Sequence, residues 1–175
     1  NKTGKVLLSD RSTRVIIAHQ PSAIQISNDG PKCEGESLQL FSSISAQKSL
    51  VRYQWTGPEG FHSDQQNPVI DQRSQAAAGR YELKGLVNGC FVKTLSTEVK
   101  VNEVPAPPII SYTNDRAHED LMLSTDYFEE AQFEWLGPTG FTAHHAYPLL
   151  PKITAQNGGR YECYVTVNGC TSDAG

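Results

Sequence analysis

The side chains with reactive or ligating chemistry are few and scattered. Four cysteines stand at Cys33, Cys90, Cys163 and Cys170. Their spacing matches neither Cys-x-x-Cys nor a Cys/His zinc pattern. His144 and His145, with His118 nearby, suggest a metal at first sight. Neighbours on a strand, however, point to opposite faces and cannot chelate together. Asp115, His118, Glu119 and Asp120, and separately Asp126, Glu129 and Glu130, offer ligands at a loop end. No Asp-x-Asp-x-Asp-Gly loop organises them for calcium. Ser, His and Asp are present without a Gly-x-Ser-x-Gly elbow or a His-Glu-x-x-His motif. All of these are read as solvated turn or edge positions, so the expectation is no catalytic residue, no metal and no cofactor. The aromatics Tyr53, Trp55, Phe133 and Trp135 alternate with polar neighbours, as core positions do. Phe61 and Phe141 follow a glycine turn and remain weak candidates for ligand contact, together with the loop residues His62, Ser63 and Asp64.

What positions these residues is an internal repeat. Residues 51–90 align without a gap on residues 131–170, and fourteen of the forty positions are identical. Chance at average composition gives about one in sixteen, so the repeat is real. Trp55-Thr56-Gly57-Pro58-Glu59-Gly60-Phe61 faces Trp135-Leu136-Gly137-Pro138-Thr139-Gly140-Phe141. Gly79-Arg80-Tyr81-Glu82 faces Gly159-Arg160-Tyr161-Glu162, and Val87-Asn88-Gly89-Cys90 faces Val167-Asn168-Gly169-Cys170. Upstream, Leu38 and Leu40 match Leu121 and Leu123 at an offset of 83. Residues 12–17 and Pro21 mirror residues 96–101 and Pro105 at an offset of 84. Residues 1 to about 18 therefore read as the last strand of a preceding module, and the second copy reads as short of its own last strand.

Each copy consists of short alternating runs between turn signals, with no apolar period long enough for a helix. Asn88-Gly89 and Asn168-Gly169 are the dipeptides of a two-residue type I′ hairpin, whose central residues need positive φ. Gly57-Pro58 and Gly137-Pro138 break a strand just after each Trp, and Pro105-Ala106-Pro107-Pro108 makes a stiff linker. About seven strands, a mid-module Trp and a late Gly-x-Tyr predict an all-β chain of tandem immunoglobulin-like sandwiches. The expected division is 1–22 for the strand and linker, 23–104 for module 1 and 105–175 for module 2.

Composition removes several classes of function. The net charge of −4 carries no footprint for nucleic acid or an anionic membrane. No run of eighteen apolar residues is present to insert in a bilayer, and the N-terminus lacks a signal-peptide pattern. A start at Asn1-Lys2-Thr3 reads as a cut from something longer.

Gly159-Arg160-Tyr161-Glu162-Cys163 resembles the G-x-Y-x-C signature of strand F in immunoglobulin domains. More closely, C-E-G-E-S-L-x-L, W-x-G-P-x-G-F, A-G-x-Y and N-G-C resemble the immunoglobulin-like repeats of large secreted adhesins of Bacteroidetes-type bacteria. The resemblance implies tyrosine-corner roles for Tyr81 and Tyr161 and core roles for Trp55 and Trp135. It also implies a disulfide from Cys33 to Cys90, linking the first and last parts of module 1. Strand B carries leucines and no cysteine, so an antibody-type core bond is not expected. Cys163 has Leu83 as counterpart and reads as a small core residue. Arg116 stands where a partner for Cys170 would be, so Cys170 is orphaned unless it finds Cys163. A simple hairpin register opposes Cys170 to Val167 instead.

The expected function is that of a non-catalytic segment of a secreted or cell-surface adhesin, binding an extracellular protein or glycan. A spacer array carrying another, carbohydrate-active domain is the alternative. Residues 62–67 and 142–147 share nothing, which favours binding over spacing. Finally, residues 5–18 are expected either to pack beside module 1 or to dock on module 2 of a neighbouring chain, by strand exchange.

Overall fold

Alternating apolar residues too short for helices have one way to bury their faces, which is sheet against sheet. The computed structural model describes residues 23–45, 50–71, 75–115, 119–126 and 128–175. The expected strand at residues 5–18, Arg116 and His118 lie outside them.

In the first sandwich, one sheet runs β1–β3–β6, from Ile24–Asn28, Ser37–Ile44 and Val69–Asp71. The facing sheet runs β5–β4–β7–β8, from His62–Ser63, Val51–Thr56, Gly79–Val87 and Cys90–Val99. Between them at one pole, β2 (Lys32–Cys33) pairs in parallel with β9 (Val101–Asn102). The second sandwich repeats the plan. Its sheets are β10–β11–β14 (Ile110–Asp115, Asp120–Thr125, Leu149–Leu150) and β13–β12–β15–β16 (Thr142–Ala143, Gln132–Leu136, Glu162–Val167, Cys170–Thr171).

The two cores are built from the repeated positions. Leu38, Leu40, Trp55, Ile70, Tyr81, Leu83 and Val99 fill the first. Leu123, Trp135, Leu150, Cys163 and Val165 fill the second. Each fully buried leucine or tryptophan contributes on the order of 2 kcal/mol or more by leaving water. Cys163 stands opposite Trp135, as Leu83 stands opposite Trp55. It is fully buried, and that burial pushes its thiol up to about 11.

The repeated motifs have specific jobs. The Tyr81 hydroxyl donates to the Ala77 carbonyl at 2.9 Å, and Tyr161 donates to that of Asn157 at 2.8 Å. These bonds tie the start of β7 and the residues before β15 to the preceding turn, the tyrosine corner the resemblance implied. Gly57 and Gly137 lie against those rings, where a Cβ would be driven into the Tyr81 or Tyr161 ring. Both Asn-Gly pairs take positive φ, 51° and 81° for Asn88 and Gly89 and 51° and 83° for Asn168 and Gly169. They close the predicted two-residue hairpins, Val87 opposite Cys90 and Val167 opposite Cys170.

The cysteine pairing differs from expectation. Cys33 is bonded to Cys170, and Cys90 is an exposed free thiol. Cys33 lies beside Asn102 at the β9 pole, whereas Cys90 opens β8 at the other pole. The ten residues of β8 alone span roughly 30 Å at the rise of an extended strand, far beyond disulfide reach. The Asn168-Gly169 hairpin of the second sandwich meets the first at the β9 pole, where the Asn102 side chain donates to the Asn168 carbonyl at 2.9 Å. That contact brings Cys170 to Cys33, so the bond staples the two sandwiches together. Cys170 is therefore neither orphaned nor paired with Cys163, which stays a buried free thiol.

Candidate functional site

Three of the predicted loop residues lie together. His62, Ser63 and Asp64 line a shallow groove of about 450 Å³ with Gln54, Trp55, Thr56 and Lys84. The strand register explains the grouping. Thr56 pairs with His62 across β4 and β5, and Gln54 pairs with Lys84 across β4 and β7. Paired residues share a face, so these side chains stand on the outer face while Trp55 turns into the core. The two-residue strand β5 is the edge of this sheet, which leaves the groove open along one side.

The loop that shapes the groove is held by the framework. The Gln66 side chain donates to the Ser42 carbonyl at 2.9 Å, and the Ser42 hydroxyl returns a bond to the Gln66 carbonyl at 2.7 Å. Asn67 accepts from the Ser42 amide at 2.8 Å. The Trp55 indole donates to the Gln66 carbonyl at 3.4 Å, and Trp135 does the same for the His145 carbonyl at 3.0 Å. Each buried Trp thus packs the core with its ring and fixes the variable loop with its N–H. The loop backbone is positioned and its outward side chains are spared for other use.

The equivalent face of the second sandwich shares the framework and none of this surface. At the offset of 80, Glu134, Leu136, Thr142, Ala143, His144 and Tyr164 replace Gln54, Thr56, His62, Ser63, Asp64 and Lys84. Tyr164 donates to Glu162 at 3.2 Å, a bond that with the nearby carboxylate charge raises its hydroxyl above the usual tyrosine range. The lining of the first groove mixes a cation, an anion, an imidazole and neutral hydrogen-bonding groups. Within it, the Ser63 hydroxyl accepts from the Gln65 amide at 3.2 Å.

The other predicted site residues take structural positions. Phe61 and Phe141 are half-buried and pack edge-on against Tyr81 and Tyr161, with ring centroids 5.3 and 5.6 Å apart. Their rings extend the core at the tyrosine corner and do not form an open platform. His144 and His145 are exposed, and the His144 ring lies 3.3 Å from the Phe133 carbonyl. Asp120 accepts from the Lys152 amide at 2.9 Å, and Asp126 from the Ile109 amide at 2.9 Å, so both fasten turns. Asp115 ends β10, and Glu119, Glu129 and Glu130 are exposed. Among the described residues, no three His, Cys, Asp or Glu side chains converge as metal ligands. No described helix is long and apolar enough to cross a membrane. Lys84 and Gln54 escaped sequence reasoning because their role comes from cross-strand register, which no local pattern announces.

No family model and no curated protein matches the chain. Among solved structures, it is similar to a chain in the crystal structure of the mouse coronavirus receptor-binding domain complexed with its murine receptor. The two are 12% identical with a TM-score of 0.52, over 87% of this chain and 97% of that one. The fold is immunoglobulin-like. Murine CEACAM1b (12% identical, TM-score 0.46, 87% and 97% covered) and a two-domain fibronectin type III segment of chicken tenascin (14%, 0.33, 89% and 96%) superpose more loosely. At these identities the likeness speaks to fold alone.

Proposed function

We propose that this chain is a non-catalytic binding segment of a secreted or cell-surface adhesin, taking an extracellular protein or glycan on the β4–β5 face of its first sandwich. One observation carries the reading. Between the two sandwiches, the Trp, the Gly-Pro turn and the tyrosine corner are kept, while the six other residues that line the groove are all exchanged. A spacer has no use for a changed face on a kept frame; a set of binding modules has. The groove's mixed charges and hydrogen-bonding groups suit a polar ligand held by several modest contacts. The test is binding of the chain to arrays of glycans and host-matrix proteins, beside a variant with residues 62–67 scrambled. A ligand lost on scrambling places binding at this face, and silence across both arrays removes the reading.

The Cys33–Cys170 bond favours a second reading, a stiff spacer that holds another, carbohydrate-active domain at a fixed distance. Silence on the arrays together with a single rigid conformation by small-angle scattering would select it.

A further inference from the structure

The outer face of the β5–β4–β7–β8 sheet continues past the groove toward the Asn88-Gly89 hairpin, and strand register says what it carries. Gln54 lies opposite Lys84, and Lys84 opposite Thr94. One row nearer the hairpin, Arg52 lies opposite Leu86, and Leu86 opposite Phe91. Cross-strand partners share a face, so the two rows adjoin on the solvent side. A bulge decides the second row. Gly85 meets Lys93 and Leu86 meets Phe91, so the pairing passes over Val92. An unbroken register would put Val92 opposite Leu86; the bulge puts an aromatic ring there instead. That ring is 61% exposed. Arg52 and Lys84 are exposed diagonal neighbours, about 7–8 Å apart across the sheet. Among the described residues, neither forms a salt bridge, and Glu82, two residues from Lys84, is taken by Arg80 at 3.0 Å. In the second sandwich, Gln132, Tyr164 and Thr171 stand at the places of Arg52, Lys84 and Phe91. Both cations and the exposed phenyl ring therefore belong to the first face alone.

We propose that this face takes a glycan bearing a sugar carboxylate, a uronic or sialic acid, with the carboxylate between Arg52 and Lys84 and a sugar ring laid on Phe91. The assignment rests on the reading of the β4–β5 face as a binding site and names the ligand class. A guanidinium offers paired donors to the two oxygens of one carboxylate, and the lysine adds a second charge from the side. A sugar ring presents an apolar C–H face to an exposed aromatic ring, while its hydroxyls suit Gln54, Thr56 and Thr94. Asp64 at the β5 end is an acceptor for further hydroxyls. The face has two free cations and no more, so it fits an isolated carboxylate. A densely sulfated chain or an acidic peptide would meet Asp64, Glu82 and Glu98 and the net charge of −4.

The test is calorimetric titration of the whole chain with carboxylated oligosaccharides, oligogalacturonate and sialyllactose among them. Binding should appear and should weaken with added salt, as contacts between exposed charges do. Methyl esterification of the oligogalacturonate keeps its rings and removes its charge, and should weaken binding about tenfold or more. Arg52→Gln and Lys84→Gln should each weaken it about tenfold, and Phe91→Thr about fivefold. Asp64→Asn should tighten it about twofold by removing a like charge. All four residues are exposed, and an unchanged urea midpoint shows that each variant is folded. Silence across the carboxylated panel overturns the proposal. So does an ester that binds as tightly as the acid, or binding indifferent to Arg52, Lys84 and Phe91. Tighter binding of heparin or poly-aspartate also overturns it, by assigning the face to a sulfated chain or an acidic protein. A neutral glycan or protein that binds and is lost on scrambling residues 62–67, with the carboxylated panel silent, overturns this ligand class and leaves the β4–β5 reading in place.

Discussion

Cys33 and Cys170 are bonded across 137 residues of chain, while Cys90, which holds in the first sandwich the place that Cys170 holds in the second, is a free and exposed thiol. The hairpin cysteine of one sandwich thus reaches the β2 cysteine of the sandwich before it. The staple lies beside the Asn102–Asn168 bond and fixes how the two bodies meet.

Removing the staple should loosen the pair and leave each sandwich folded, because neither Cys33 nor the buried Cys170 belongs to the two clusters that pack around Trp55 and Trp135. For Cys33→Ser with Cys170→Ser, small-angle scattering should show a broader spread of shapes. Stability should fall by roughly 2–5 kcal/mol, the usual cost of losing a native disulfide. An unchanged scattering profile would mean that the interface holds without the bond.

The two free thiols should differ sharply in reactivity. Cys90 is exposed and should be alkylated rapidly in the native protein, whereas Cys163 should react only after unfolding. Peptide mapping after a short iodoacetamide pulse separates the two. Equal labelling of both would remove Cys163 from the core.

Cys163 also predicts an alkaline loss of stability. Its thiol is neutral when protonated, and the folded state keeps that proton until about pH 11 where the unfolded chain releases it near 9.0. Above pH 9 the unfolded state therefore binds fewer protons, and stability falls as pH rises, levelling off above pH 11. The loss amounts to about 2–3 kcal/mol. Buried Tyr81 and half-buried Tyr161, whose hydroxyls are also raised, add a loss of the same sign at higher pH. Urea unfolding of the native chain and of Cys163→Val at pH 8 and pH 11 isolates the thiol. Parallel losses in the two proteins would assign the effect elsewhere.

At the tyrosine corner, Gly57→Ala should cost about 1–3 kcal/mol, since its new methyl meets the Tyr81 ring. Tyr81→Phe should cost about 1 kcal/mol through loss of the bond to Ala77. Gly137→Ala and Tyr161→Phe should follow the same order in the second sandwich. The check is chemical denaturation of each variant, and a harmless Gly57→Ala would show that the ring has room to move.

Local residue order determined much of this protein. Alternation placed Leu38, Leu40, Trp55 and Trp135 in the cores, because a pleated strand sends successive side chains to opposite faces. Asn-Gly dictated both hairpins through the positive φ that such turns require. The repeat tied Cys163 to the core position of Leu83 before any coordinates did. Three features belong to the tertiary structure alone. Gln54 and Lys84 join His62, Ser63 and Asp64 through strand register, a relation between segments far apart in sequence. The bond from Asn102 to the Asn168 carbonyl joins the two sandwiches through residues that no local pattern relates. The disulfide went to Cys170 and not to Cys90, because a bridge obeys distance in space: β8 carries Cys90 to the far pole, and the docking of the second sandwich brings Cys170 to Cys33.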